Sequence, residues 1–168
     1  MMCKSSDECH GRSTYVTSIV DSVVRTFWVK NNVRGVVLAL AKMSNHSVLV
    51  DVLSACMDKS EIFTLEICAL LLPLLKDLLT SQYDRYLTVA LSVISLLLKS
   101  FGSIIQETRL AARPAPGVDL SGEQRLDRCN KCYEGFVSVR EILEPLVRRG
   151  GDAAQAASEL HMALSEVR

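Results

Sequence analysis

The sequence predicts an all-α domain of about seven helices, arranged as a bundle or as a short α-solenoid of antiparallel helix pairs. Three observations predict it. Residues 60–101 hold two long apolar runs with helical spacing, parted at Thr80–Gln82. The rest of the chain repeats that spacing in shorter stretches, and none alternates apolar and polar residues as a half-buried strand does. The breaks between stretches are short, which suits helices that return beside their neighbours. No repeat of fixed period is evident, so no named repeat family is implied.

The two central runs read as a helical hairpin. In the first, Ile62, Leu65, Ala69, Leu72, Leu75 and Leu79 form one stripe, and Ile67, Leu71, Leu74 and Leu78 form another. In the second, Tyr83, Tyr86, Leu87, Ala90, Leu91, Ile94, Leu97, Leu98 and Phe101 share a face that Val89, Val93 and Leu96 widen. A helix that is apolar nearly all round is buried on more than one side, so this hairpin is expected to be the core on which the other helices pack. Pro73 sits inside the first run, in line with Glu66 and Asp77. It has no N–H for the Ala69 carbonyl, so it belongs on the outer side of a bend.

Residues 1–12 are polar and aperiodic and read as a flexible N-terminal tail; residues 13–168 read as the domain. A first helix is expected from Ser13 or Thr14 to Val29, with Val16, Ile19, Val20, Val23 and Phe27 inward. Asn31–Asn32 end it. A second follows at about 33–43 on Val33, Val36, Val37 and Leu40, and a third from Ser44 or Asn45 on Val48, Leu49, Val52, Leu53 and Cys56. Asp58–Ser60 are expected to end the third and cap the first helix of the hairpin. After the hairpin, residues 109–120 form the one clear loop, because they hold Pro114, Pro116 and Gly117. Ser121 with Gln124 has the pattern of a capping box for a helix that runs to about Arg148. Gly150–Gly151 interrupt, and Asp152 is expected to cap a last helix with Ala156, Leu160, Leu164 and Val167 inward.

Composition narrows the function. At 168 residues, 49% of them apolar, the chain suffices for one domain with a real core. Nineteen Lys and Arg balance nineteen Asp and Glu, so global charge points to no nucleic-acid partner. The balance is uneven along the chain: between Asp21 and Asp51 there is no acid, while Arg25, Lys30, Arg34 and Lys42 fall in that span. Charges at Glu66, Lys76–Asp77, Asp84–Arg85 and Lys99 cut the central runs below the roughly 20 apolar residues of a membrane span, so no membrane insertion is expected. The N-terminal residues lack the apolar middle of a signal peptide. A cytoplasmic location with reduced cysteines is therefore expected.

The motifs exclude more than they assign. Cys129 and Cys132 form a C-x-x-C, but a zinc site usually draws on two such pairs. Cys3, Cys9 and His10 alone could complete it, from the tail. On a helix the two thiols share a face, so core packing explains them, as it does Cys56 and Cys68. His10, His46 and His161 are isolated from any nucleophile arrangement, and no phosphate-binding glycine loop or metalloprotease helix is present. No catalytic residue, cofactor or metal ligand is assigned, and the chain reads as a non-enzyme. What remains is a surface. Trp28, the only tryptophan, stands among Arg25, Lys30, Arg34 and Lys42. Tryptophan and arginine are enriched at interface hot spots, and such a patch suits a carboxylate-rich partner, with salt weakening it.

Three blocks of residues carry a resemblance. L-L-P-L-L-K-D-L-L-T-S-Q-Y-D-R-Y (Leu71–Tyr86), L-L-L-K-S-F (Leu96–Phe101) and G-V-D-L-S-G-E-Q-R-L-D-R-C-N-K-C-Y (Gly117–Tyr133) resemble the conserved C-terminal domain of the katanin p80 subunit in content, order and spacing. The likeness extends from about Ser13 to Val167. It implies an all-helical regulatory domain of a microtubule-severing complex. Its partners would be the N-terminal helical domain of the p60 ATPase subunit, microtubules with their acidic tubulin tails, and spindle-pole or minus-end proteins. A cytoskeletal location at centrosome or spindle pole follows from the same resemblance. Regulatory members of the family carry an N-terminal β-propeller and a linker, which this sequence does not contain. It is therefore expected to be an excised C-terminal domain or a short p80-like protein. The first three helices are the expected p60 surface, since the hairpin should be occupied by the core. The alternatives from other classes are a generic helical adaptor unconnected to the ATPase and a zinc-dependent module.

Overall fold

A computed structural model describes residues 33–42, 46–57, 59–111 and 120–166, and all of its extended elements are helices. The described residues form six α-helices, α1 (Val33–Ala41), α2 (His46–Cys56), α3 (Leu65–Leu79), α4 (Asp84–Ala111), α5 (Leu120–Arg149) and α6 (Asp152–Glu166), with a 3₁₀ turn at Ser60–Ile62. No strand occurs among the described residues. The first expected helix, about 14–29, lies outside them, as do the tail at 1–12 and Val167.

The α3–α4 hairpin is the core. α1 packs on α3 and α2 on α4; α5 packs on both, and α6 packs on α4 and α5. Every other helix therefore borrows its apolar neighbour from the hairpin. On α3, Leu71, Leu72, Leu75, Leu78 and Leu79 are all buried, so both sequence stripes reach the core, with Leu65, Ala69 and Leu74 half-buried at their margins. Each buried leucine contributes roughly 1.5–3 kcal/mol by that transfer. Glu66, Pro73 and Asp77 look outward, as their shared line requires. On α4, Leu87, Ala90, Leu91, Val93, Ile94, Leu97, Leu98 and Ile105 are buried. By length and composition α4 could cross a membrane, because the helix continues through Lys99 to Ala111. The expectation that the run is too short is thus corrected, yet its buried face meets α2, α3, α5 and α6.

The later helices are narrower. α5 buries only Cys129, Cys132, Phe136, Val139, Leu143 and Leu146, a single stripe at three- and four-residue steps. Where it crosses α3, Gly135 lets the backbones approach: a Cβ there would stand 2.7 Å from Leu72 Cδ1 and 2.9 Å from Leu72 Cβ. The chain then reverses at Gly150 and Gly151, whose φ values of 79° and 86° suit glycine.

Several boundaries differ from expectation, each for a local reason. Thr64, and not Asp58–Ser60, caps α3: its backbone is extended and its hydroxyl accepts the Ile67 N–H at 3.3 Å. Ser60–Ile62 makes its own 3₁₀ turn, and Phe63, just after it, is buried in the core. Ile62 therefore belongs to the turn. Tyr83 is 68% exposed and off the apolar face. It precedes α4, and its carbonyl accepts the N–H groups of Tyr86 and Leu87. The loop expected from residue 109 starts later, since α4 reaches Ala111, three residues before the first proline. Ser121 is inside α5, which already begins at Leu120. Asp152 is the first residue of α6, with the Gly151 carbonyl accepting the Ala154 N–H. Ala156 is exposed, and Ala154 and Ala157 take the inward positions with Leu160 and Leu164.

Candidate interaction surface

α1 and α2 stand at the edge of the hairpin. Their apolar residues turn inward because Val36, Val37 and Leu40 on α1, and Val48, Leu49, Val52, Leu53 and Cys56 on α2, recur at helical spacing. One exposed ion pair ties each helix down. Arg34 Nη1 of α1 lies 3.2 Å from Glu66 Oε1 of α3. Arg85 Nη2 of α4 lies 2.5 Å from Asp51 Oδ1 of α2. In such exposed settings a pair contributes about 0–1 kcal/mol.

Of the five candidate surface residues, the structure describes two. Arg34 is exposed and paired with Glu66, and Lys42 is exposed in the turn that follows α1. Arg25, Trp28 and Lys30 lie outside the described residues. The acid-free span of sequence does not remain acid-free in space, because α3 supplies Glu66 to Arg34. That acid could not be inferred from spacing, since the two residues belong to different helices.

Between α1, α2 and the 3₁₀ turn lies an open apolar hollow. Val36, Leu40, Leu53, Cys56, Phe63 and Leu71 are among its walls, and no charged side chain lines it among the described residues. The sequence pattern marks Val36, Leu40, Leu53, Cys56 and Leu71 as inward-facing, does not single out Phe63, and gives no sign that a gap remains among them. Burial pushes the Cys56 thiol up, with Lys59 pulling weakly the other way.

The other described cysteines face the core. Cys68, Cys129 and Cys132 are fully buried free thiols. The Cys132 thiol donates to the Leu65 carbonyl at 3.4 Å. The Cys68 thiol is held well above the ordinary range, first by its hydrogen bond to Cys132 and then by burial. Among the described residues no three of His, Cys, Asp and Glu gather where they could hold a metal ion. At the far end of the hairpin, the Arg109 guanidinium lies over the Tyr133 ring, 3.3 Å from its centre, and Arg109 Nε donates to Asn130 Oδ1 at 3.2 Å. This clamp joins the end of α4 to α5. It was not legible from spacing, because its members are on two helices.

The described residues thus form a small all-α domain whose chemistry is that of packed helix faces and exposed ion pairs. The family model described as the con80 domain of Katanin matches residues 11–164, and the chain belongs to that family. It is 42% identical over 142 residues to a katanin p80 WD40 repeat-containing subunit B1 homolog of Arabidopsis thaliana, covering 84% of this chain and 12% of the relative. With the katanin p80 WD40 repeat-containing subunit B1 of Xenopus tropicalis it shares 32% identity over 146 residues, 84% of this chain and 22% of the relative. A KATNB1-like protein 1 of Mus musculus is 30% identical over 91 residues, 52% of this chain and 30% of that protein. The chain therefore spans less than a quarter of the length of these two p80 subunits.

Proposed function

We propose that this domain is a non-catalytic regulatory and targeting module of a microtubule-severing complex, and that it binds the N-terminal helical domain of the p60 ATPase subunit. The observation that carries this reading is the family match over residues 11–164, joined to relatives named as katanin p80 subunits. The physical character of the domain supports it. A helical partner would bury apolar surface left at the edge of such a domain, and α1 and α2 are the edge helices here. Residues 13–168 would act as one unit in the cytoplasm, at the cytoskeleton and at centrosome or spindle pole. Contributions to microtubule binding and to docking of spindle-pole or minus-end proteins complete the reading.

The test is direct. Mixing the chain with the p60 N-terminal domain at micromolar concentration should give one heterodimeric species on size exclusion and a binding isotherm by calorimetry. Two separate peaks and no heat would refute it, and would favour an adaptor for other helical partners. The surface assignment has its own test. Arg25→Glu with Lys30→Glu should weaken co-sedimentation with microtubules, leave the melting temperature unchanged, and matter less as salt rises. Unchanged pelleting would remove the patch of Arg25, Trp28, Lys30, Arg34 and Lys42 from the account.

A further inference from the structure

We propose that Cys68 of α3 and Cys132 of α5 form a buried dithiol that hydrogen peroxide converts to a disulfide, fastening the two helices to each other. The C-x-x-C spacing would pair Cys132 with Cys129; the structure pairs it with Cys68. The Cys68 thiol donates to the Cys132 sulfur, and the Cys132 thiol donates onward to the Leu65 carbonyl at 3.4 Å. Both are free thiols with no exposed surface. A disulfide needs Cβ atoms about 3.5–4.5 Å apart. One turn further along the same crossing, a Cβ built on Gly135 would stand 2.9 Å from Leu72 Cβ, so α3 and α5 run close enough for so short a bond.

An isolated buried thiol is inert, because its surroundings disfavour the thiolate. This pair is different in two respects. The hydrogen bond from Cys68 holds the Cys132 thiol below its ordinary range, although burial opposes it, so Cys132 is the nucleophile. The pair also sits at the margin of the packed region. On α5, residues 120–128 are exposed apart from half-buried Leu126, and Cys129 and Cys132 are the first side chains to enter the core. On α3, Cys68 is one turn from the start at Leu65. Opening of these two helix ends, short of unfolding the domain, admits a molecule as small as peroxide. The Cys132 thiolate attacks one peroxide oxygen and the O–O bond breaks. The hydroxide released takes up the proton that Cys132 lost and leaves as water, with Cys132 now a sulfenic acid. The Cys68 sulfur displaces its hydroxyl, which leaves as a second water with the Cys68 proton. The two sulfurs are oxidised and the peroxide is reduced. In a reducing compartment the bond is transient, as redox-sensing disulfides are. This inference rests on the fold alone and not on any partner.

The sequence makes the test clean. Trypsin cuts after Lys59, Lys76, Arg128, Lys131 and Arg140, so Cys68, Cys129 and Cys132 fall in separate peptides, 60–76, 129–131 and 132–140. The full chain is treated with one equivalent of hydrogen peroxide, its remaining thiols are blocked, and the digest is read by mass spectrometry. Peptides 60–76 and 132–140 should form most of the linked material, from a chain that still runs as a monomer on a non-reducing gel, and dithiothreitol should part them. A main link from 132–140 to 129–131, links between two copies, or no link of 60–76 to 132–140 would each overturn the proposal. So would the same preference in concentrated urea, where the fold is absent. Cys68→Ser should strand Cys132 as a sulfenic acid that dimedone traps, and no adduct there would refute the order of steps; if that variant does not fold, the parent digest still decides. Amide exchange over residues 129–139 should slow several-fold in the oxidised chain, and unchanged or faster exchange would refute the fastening.

Discussion

Gly135 is the position where the smallest chemical change should have the clearest effect. A methyl group added there would meet Leu72 Cδ1 at 2.7 Å and Leu72 Cβ at 2.9 Å. Rotating the leucine can relieve the first contact. The second involves the root of the side chain and yields only if α3 and α5 move apart. Leu72 is 1% exposed in a packed core, so it has little room. Overpacking of this kind costs about 1–3 kcal/mol, while replacing glycine by alanine within a helix returns about 1 kcal/mol of propensity. The net expectation for Gly135→Ala is a loss of up to about 2 kcal/mol, measured by urea denaturation. Leu72→Ala alone should cost about 2–5 kcal/mol, because it empties a buried site. With Leu72 trimmed, the helices can adjust to the new methyl group, so the double variant should lose about 1 kcal/mol less than the sum. Independent sites add to within about 0.5 kcal/mol. An additive pair, or a Gly135→Ala variant more stable than the parent, would refute the close crossing of α3 and α5.

Two further perturbations test the local arguments. Thr64→Ala removes the hydroxyl that accepts the Ile67 N–H, and should cost about 1 kcal/mol, read as a lower denaturation midpoint; an unchanged midpoint would show the cap to be idle. Burial holds the Cys56 thiol up in the folded state, so its contribution is fully present below the pKa of an unfolded thiol, about 8.5. Above that, the unfolded chain binds fewer protons, and stability should fall by at most about 1.4 kcal/mol per pH unit from this group. Comparing midpoints from pH 8 to 10, Cys56→Ala should flatten part of the fall, and an identical slope in the variant would contradict the assignment.

Much of the fold was legible in the sequence because helix faces are written at fixed spacing. The hairpin of α3 and α4, the inward residues of α1 and α2, and the stop at Gly150–Gly151 all follow from apolar periodicity and from local backbone chemistry. Boundaries were less legible. Thr64 rather than Ser60 opens α3 because its extended backbone lets its hydroxyl accept the Ile67 N–H, a choice between two capping residue types that spacing does not make. Tyr83 fits the apolar face of α4 by spacing, but it precedes the helix and so faces solvent.

The interaction surface was legible only as a list of residue types. Trp28 and its basic neighbours can be named from the chain, whereas the pairing of Arg34 with Glu66 depends on how α1 crosses α3. The same holds for Arg109 over Tyr133 and for the contact of Gly135 with Leu72. The sequence alone determined which faces avoid water, because hydrophobic periodicity is a property of one helix at a time. Only the tertiary structure decided which faces meet, where backbones come closest and where an apolar hollow remains, because those depend on side chains from separate helices competing for the same volume.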